Sequence, residues 1–200
     1  MIFFAMAALQ LGLGPSLETP PCPSDNLVRQ VEICSDPPFS AADRALTALG
    51  ARPGQARAEA CQDQACIRGE YEAAMTAALR RTKAASVLRR AKPAGELRLL
   101  QTEPDWIMVQ MDFTNWTKPR KGAPALRASH DGFVAMAHLE GGRAEAALGG
   151  CRVVLTPNKA RSSWAVSTFR KCVWAAKDLS PAGDYGGGRA RERSRPPSGR

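Results

Sequence analysis

Six cysteines, at positions 22, 34, 61, 66, 151 and 172, punctuate this chain of 200 residues and limit what it can fold into. Cys22 is followed by the phrases VEICSDPPFSAADRAL (31–46) and CQDQACIRGEYEAAM (61–75); Cys151 and Cys172 lie far downstream. A zinc site would want a C-x-x-C pair or histidines beside the cysteines. The chain has no such pair, and His130 and His138 cluster with no cysteine. A dithiol redox centre lacks the same spacer. The framework therefore reads as structural disulfides formed in an oxidising compartment, periplasmic or secreted. Such staples suit the composition: hydrophobic residues make up 44% of the chain, but alanine supplies much of that share. Alanine-rich cores bury little area and gain from cross-links.

The N-terminus agrees with export. MIFFAMAALQLGL is uncharged and apolar, too short for the roughly 20 residues a membrane helix needs, and Ala5, Ala7 and Ala8 offer small residues for cleavage. No Lys or Arg precedes it. Residues 1–21 are expected to be a signal peptide and leader.

Beyond the leader, the expected fold class is α+β. A small disulfide-stapled helical domain (22–92) precedes a small antiparallel β domain (96–185) and a disordered basic tail (186–200). Lys92-Pro93-Ala94-Gly95 marks the break, since Pro and Gly end helices. Ser24 is placed to cap a first helix carrying Leu27, Val31 and Cys34, which Pro37-Pro38 should stop. Ser40 then caps a short helix, AADRALTAL, ending at Gly50. A third helix, starting within 56–67, carries Ile67, Tyr71, Met75 and Leu79 at helical spacing. In the β half, 105–113 has the composition of a strand with both faces partly buried. Further strands are expected at 133–139, 143–148, 151–156, 163–169 and 172–176, in a curled or half-barrelled sheet.

Hairpin geometry places Cys151 opposite about Thr168 and Cys172 just beyond the same end, within the roughly 4.4–6.8 Å between Cα atoms that a disulfide requires. The other four cysteines allow three connectivities. Cys61–Cys66 with Cys22–Cys34 is the favoured set, the former if Gln62–Ala65 is a loop, because five residues of helix turn side chains to nearly opposite faces.

At these residues the chain resembles the N-terminal helical domain of the lysozyme inhibitor LprI family. The likeness is carried in order by Cys22, by Val31-Glu32-Ile33-Cys34-Ser35-Asp36-Pro37, by Ala42-Asp43-Arg44-Ala45-Leu46, and by Cys61…Cys66-Ile67…Tyr71-Glu72-Ala73-Ala74-Met75. It covers about residues 22–80 and implies an exported helical module of the bacterial envelope, with lysozyme inhibition for at least some members. Here the second helix stops near Gly50, where the family's continues, which shortens any partner surface it offers. No inhibitory residue carries over, and the β half resembles no family.

No enzyme constellation emerges: the chain lacks G-x-S-x-G, a Walker loop, G-x-G-x-x-G and H-E-x-x-H, and no cofactor or metal is implied. His130-Asp131 is adjacency, not catalytic geometry. The net charge is +9. One basic concentration (Arg80, Arg81, Lys83, Arg89, Arg90, Lys92) precedes the break and another fills the tail; without interleaved aromatics neither reads as a specific nucleic-acid site. The candidate binding element is the loop Asn115–Gly122. Trp116 beside Lys118, Arg120 and Lys121 has the residue types of an interface hot spot. The expectation is a non-catalytic envelope binding protein, lysozyme-inhibitor-like, in which a cation from this loop engages the paired carboxylates of a lysozyme or other glycosidase cleft. The alternative is a structural or stress-related module resting on anionic lipid or polymer, without inhibitory activity.

Overall fold

The computed structural model describes residues 35–53, 57, 60–117, 127–170, 172–174 and 179–187, with 116, 117, 127 and 128 described by their backbone alone. Strands β1 (Ser86–Arg90), β2 (Ala94–Glu103), β3 (Trp106–Thr117), β4 (Arg127–Glu140), β5 (Arg143–Leu148), β6 (Cys151–Pro157), β7 (Ser163–Phe169) and β8 (Gly183–Gly186) close into one antiparallel barrel. Each strand pairs with its successor, and Arg89 opposite Gly186 joins β1 to β8. Among the described residues, two helices, α1 (Pro37–Ala48) and α2 (Gln64–Arg81), precede the barrel in sequence.

Period-two alternation fills the interior. Leu97 and Leu99 point inward from β2, Val109, Met111 and Phe113 from β3, Val153 and Leu155 from β6, and Trp164 and Val166 from β7. Eight strands leave an interior just wide enough for side chains to occupy. On β2 to β4 the outward face is buried too. Leu100, Trp106, Met108 and Met136 pack against Phe39, Ala42 and Leu46 of α1 and Ile67, Met75 and Leu79 of α2. This explains the two-sided apolar character of 105–113.

The expectation of a helical domain followed by a separate β domain is therefore overturned. The helices are a layer on the outside of the barrel, and their apolar faces have that wall as their core. The proposed break at 92–95 is the turn between β1 and β2, whose ladder runs from Arg90↔Gly95 to Ser86↔Leu99. Ser86–Arg90 lies in the stretch read as helical. Its arginines looked like a helix surface, but Leu88 and Arg90 point inward as alternate residues of a strand. Residues 172–174 form no strand. The sheet closes instead through β8, whose sequence GDYG has little strand propensity and is held by its neighbours.

The helix boundaries follow local chemistry. Pro37 and Pro38, expected to stop a helix, open α1 at its first two positions, where a missing N–H costs nothing. Gly50, at φ 60°, ends it: Gly50 N–H donates to Thr47 C=O at 3.1 Å and Ala51 N–H to Leu46 C=O at 2.8 Å. Those two bonds are a Schellman cap. Asp63 caps α2 by accepting from Cys66 N–H at 2.8 Å, and the expected stripe Ile67, Tyr71, Met75, Leu79 is its buried face. The expected helix over 24–34 lies outside the described residues.

Candidate binding surface

One end of the barrel gathers the β1–β2 turn, the far end of the β3–β4 hairpin, and the segment leading from β7 to β8. The hairpin is the longest element there. β3 and β4 pair from Trp106↔His138 to Thr117↔Arg127. β2 accompanies β3 only as far as Ala94↔Thr114, and β5 pairs with β4 only at His138, Leu139 and Glu140. The rungs Asn115↔Ser129, Trp116↔Ala128 and Thr117↔Arg127 thus stand clear of a third strand among the described residues. At about 3.3 Å per residue they project roughly 10 Å. At the base, Thr114 Oγ1 and His130 Nδ1 lie 3.1 Å apart. Gly132 lets the strands approach there: a Cβ at that position would lie 2.7 Å from the Met111 carbonyl oxygen.

Beside the hairpin the chain crosses the barrel mouth. Cys172 is bridged to Cys151, with Cα atoms 4.8 Å apart, and its N–H donates to Arg170 C=O at 3.1 Å. Two residues on, Trp174 meets Phe113 edge-on at 5.1 Å and stacks on Phe133 at 6.2 Å. Val173, between these anchors, is 92% exposed, and Phe169 is 46% exposed.

Farther along, Ser180–Ala182 are held from inside. Arg90, nearly buried, donates from Nε to Pro93 C=O (2.8 Å), from Nη2 to Ser180 C=O (2.9 Å), and from Nη1 to the carbonyls of Pro181 (3.2 Å) and Ala182. Its guanidinium sits 5.0 Å from the Tyr185 ring centroid. Tyr185 Oη donates to Pro181 C=O at 2.9 Å. Burial pushes the Tyr185 phenol up to about 12, against the opposing pull of Arg90. Carbonyl groups outside a ladder need donors once they leave water, and one arginine supplies those of Ser180, Pro181 and Ala182 together with that of Pro93 in the β1–β2 turn.

On the outer wall, a depression of about 830 Å³ runs over β4 to β6 past the start of α1, with Trp106, His138, Arg143, Glu145, Arg152 and Phe169 in its lining. Its charges are largely matched: Arg152 pairs with Glu145 at 3.1 Å and lies over the Phe169 ring at 5.8 Å. A smaller groove of about 430 Å³ lies between the helices and the line where β4 and β5 part. Asp36 and Arg68, paired at 2.8 Å, stand on its rim.

Asp43, Arg44 and Tyr71 join elements. Tyr71 Oη donates to Asp43 Oδ1 at 2.5 Å; Arg52 Nη2 donates to Oδ2 at 3.0 Å. Arg44 grips Glu103 of β2 through Nε (2.8 Å) and Nη2 (2.9 Å), fastening α1 to the barrel. Asp43 is buried at the α1–α2 contact.

No family model, curated protein or solved structure matches this chain.

Of the residues singled out in the sequence, Cys61 and Cys66 are bridged with Cα atoms 5.4 Å apart. Cys61 precedes α2 and Cys66 lies in its first turn, so the loop needed to join them is shorter than Gln62–Ala65. The Cys151–Cys172 bridge forms as expected, with one shift: Arg152 faces Phe169, so position 170 rather than Thr168 stands across from Cys151. Cys22 and Cys34 lie outside the described residues, as do Lys118, Arg120 and Lys121. Trp116 belongs to the last rungs of β3. The His138 ring lies 5.1 Å from that of Trp106, tilted by 59°. Val173, Trp174 and Arg90 went unmarked in the sequence. CVWAA reads as a strand by composition, which hid Val173 and Trp174 among expected strand residues.

Proposed function

We propose that this chain is an exported, non-catalytic binding protein of the lysozyme-inhibitor kind, which enters the cleft of a glycosidase with its β3–β4 hairpin. The observation that carries the reading is the projection of that hairpin. Among the described residues its paired rungs continue past Thr114 without a third strand, and the segment between Thr117 and Arg127 contains Lys118, Arg120 and Lys121. A cleft that holds paired Asp and Glu side chains is met by an element that is narrow, reaches beyond its scaffold and ends in cations. The barrel supplies the rigid support, closed on itself and stapled at the hairpin end by Cys151–Cys172. The resemblance of residues 22–80 to the LprI family supports the same class of partner, and the disulfides support an oxidising compartment.

Cell-wall lysis by a panel of lysozymes of different isoelectric points, at low and moderate salt, tests the reading. Inhibition of at least one enzyme is expected, weakened when Lys118, Arg120 and Lys121 are replaced together by alanine. Absence of inhibition across the panel ends it. Binding to anionic vesicles that disappears with salt, without any inhibition, would favour the envelope-surface alternative instead.

A further inference from the structure

We propose that the seam where β4 and β5 part is a second binding site, one that takes an extended peptide segment carrying a basic side chain. The main chain of the peptide pairs along the open edge of β4, and its cation meets Glu72. The site lies on the helix-covered wall and does not depend on the inhibitor reading.

Among the described residues β4 and β5 pair at Glu140↔Arg143, Leu139↔Ala144 and His138↔Glu145 and no further. β5 nevertheless runs on to Leu148, paired there with β6 alone. Leu139 N–H donates to Asp105 C=O at 2.7 Å, on the β3 side. Backbone direction alternates along a strand, so the N–H and C=O groups of Val134 and Met136 face the β5 side, where the ladder has ended. Gly132 N–H, on that same side, is met by Asp131 Oδ1 at 2.8 Å rather than by a strand. Val134 and Met136 line one bank of the groove of about 430 Å³, and Ala147, Leu148 and Gly149 line the other.

The groups on this seam select the occupant. Donors and acceptors of an unpaired strand edge suit another main chain, which offers both in the same alternation. Phe39 and Met75 present apolar surface to the groove, within reach of the side chains that an added strand turns to one face. Glu72 stands exposed at the groove, and among the described residues it has no hydrogen bond or ion pair. Asp36, by contrast, is matched by Arg68 at 2.8 Å. Burial against the groove raises the Glu72 carboxyl above its usual value, against the pull of Arg68. A basic side chain on the occupant supplies the partner that Glu72 lacks, whereas a lipid tail would offer nothing to the backbone of Val134 and Met136.

Calorimetric titration of the full oxidised chain with short end-blocked peptides tests the site, at moderate salt so that the net charge of +9 is screened. The probes are a peptide of alternating valine and lysine, its valine–glutamate counterpart, and the valine–lysine peptide N-methylated along its backbone. The first is expected to bind, and the other two roughly tenfold more weakly. Glu72→Gln, at an exposed position, should leave the melting temperature unchanged and raise Kd for the valine–lysine peptide about tenfold, through loss of a charge-assisted hydrogen bond. No binding of that peptide, or an unchanged Kd in Glu72→Gln, overturns the site. Equal binding of the N-methylated peptide overturns the strand pairing and the proposal with it. A dimer of the chain alone that Glu72→Gln disperses would assign the seam to a second copy instead.

Discussion

Two buried tyrosines show how single side chains hold this protein together. Tyr71 joins α2 to Asp43 of α1, and Arg52 completes the cluster. Replacing Tyr71 by Phe keeps the ring against Phe39 but deprives a buried carboxylate of its shortest hydrogen bond, at a cost of about 1–3 kcal/mol. Urea titration should show a lower midpoint with an unchanged slope. Tyr185 works from the other side of the wall. Its phenol is raised from 10.0 to about 12 by burial. A group whose folded value lies above its unfolded value contributes stability that is fully present below the unfolded value, and the contribution is lost as pH rises through the folded one. The barrel should therefore lose stability between pH 10 and about 12. Tyr185→Phe should flatten that part of the profile, and an unchanged slope in this variant would refute the assignment. Gly95 belongs to the same contact, since a Cβ there would lie 2.8 Å from Tyr185 Oη. Cys61, Cys66, Cys151 and Cys172 were legible at this scale because their chemistry is written in the residue type. Arg90 was not: nothing in SVLRRAKP distinguishes an arginine that satisfies four carbonyls from one that faces water.

Among the elements, the segment from β7 to β8 is the one whose role depends on a covalent bond. Cys151–Cys172 closes a loop of sequence separation 21, for which the chain-entropy model gives about 3 kcal/mol. The Cys151→Ser/Cys172→Ser variant should lose stability of that order, and Trp174 should become wetter as the crossing loosens. A red shift of tryptophan emission, absent when the same substitutions are made in a Trp174→Phe background, would report this loosening. An unshifted spectrum would mean that Phe113 and Phe133 hold Trp174 without the bridge. Strands β3 and β5 to β7 were readable because alternation and turn residues such as Gly141-Gly142 and Pro157-Asn158 agree. β1 and β8 were not, for opposite reasons. Ser86–Arg90 carries helix-surface composition, and Gly183–Gly186 carries little strand propensity, so ring closure makes strands of them.

At the scale of the whole molecule, the decisive fact is that one sheet wall serves two cores. Alternation along 105–113 placed apolar residues on both faces, which is compatible with a strand inside a sandwich, a strand under helices, or a domain boundary. Sequence spacing cannot choose among these, because the partner of the outer face lies in residues 37–81, joined to it only by tertiary contacts such as Arg44–Glu103. The choice has a measurable consequence. A chain beginning at Lys83 keeps all eight strands but leaves Leu100, Trp106, Met108 and Met136 facing water, side chains that each lose about 1.5–3 kcal/mol of burial when large and apolar. Such a contiguous apolar patch promotes association. If helices and barrel were independent domains, the fragment would remain monomeric and melt as the parent barrel does. With the helices as the outer half of a shared core, it should bind a hydrophobic dye, self-associate, and unfold at lower denaturant. Adding Arg44→Ala to the full-length chain should shift it part of the way in the same direction, since that substitution releases one fastening between α1 and β2 while leaving the apolar cover in place.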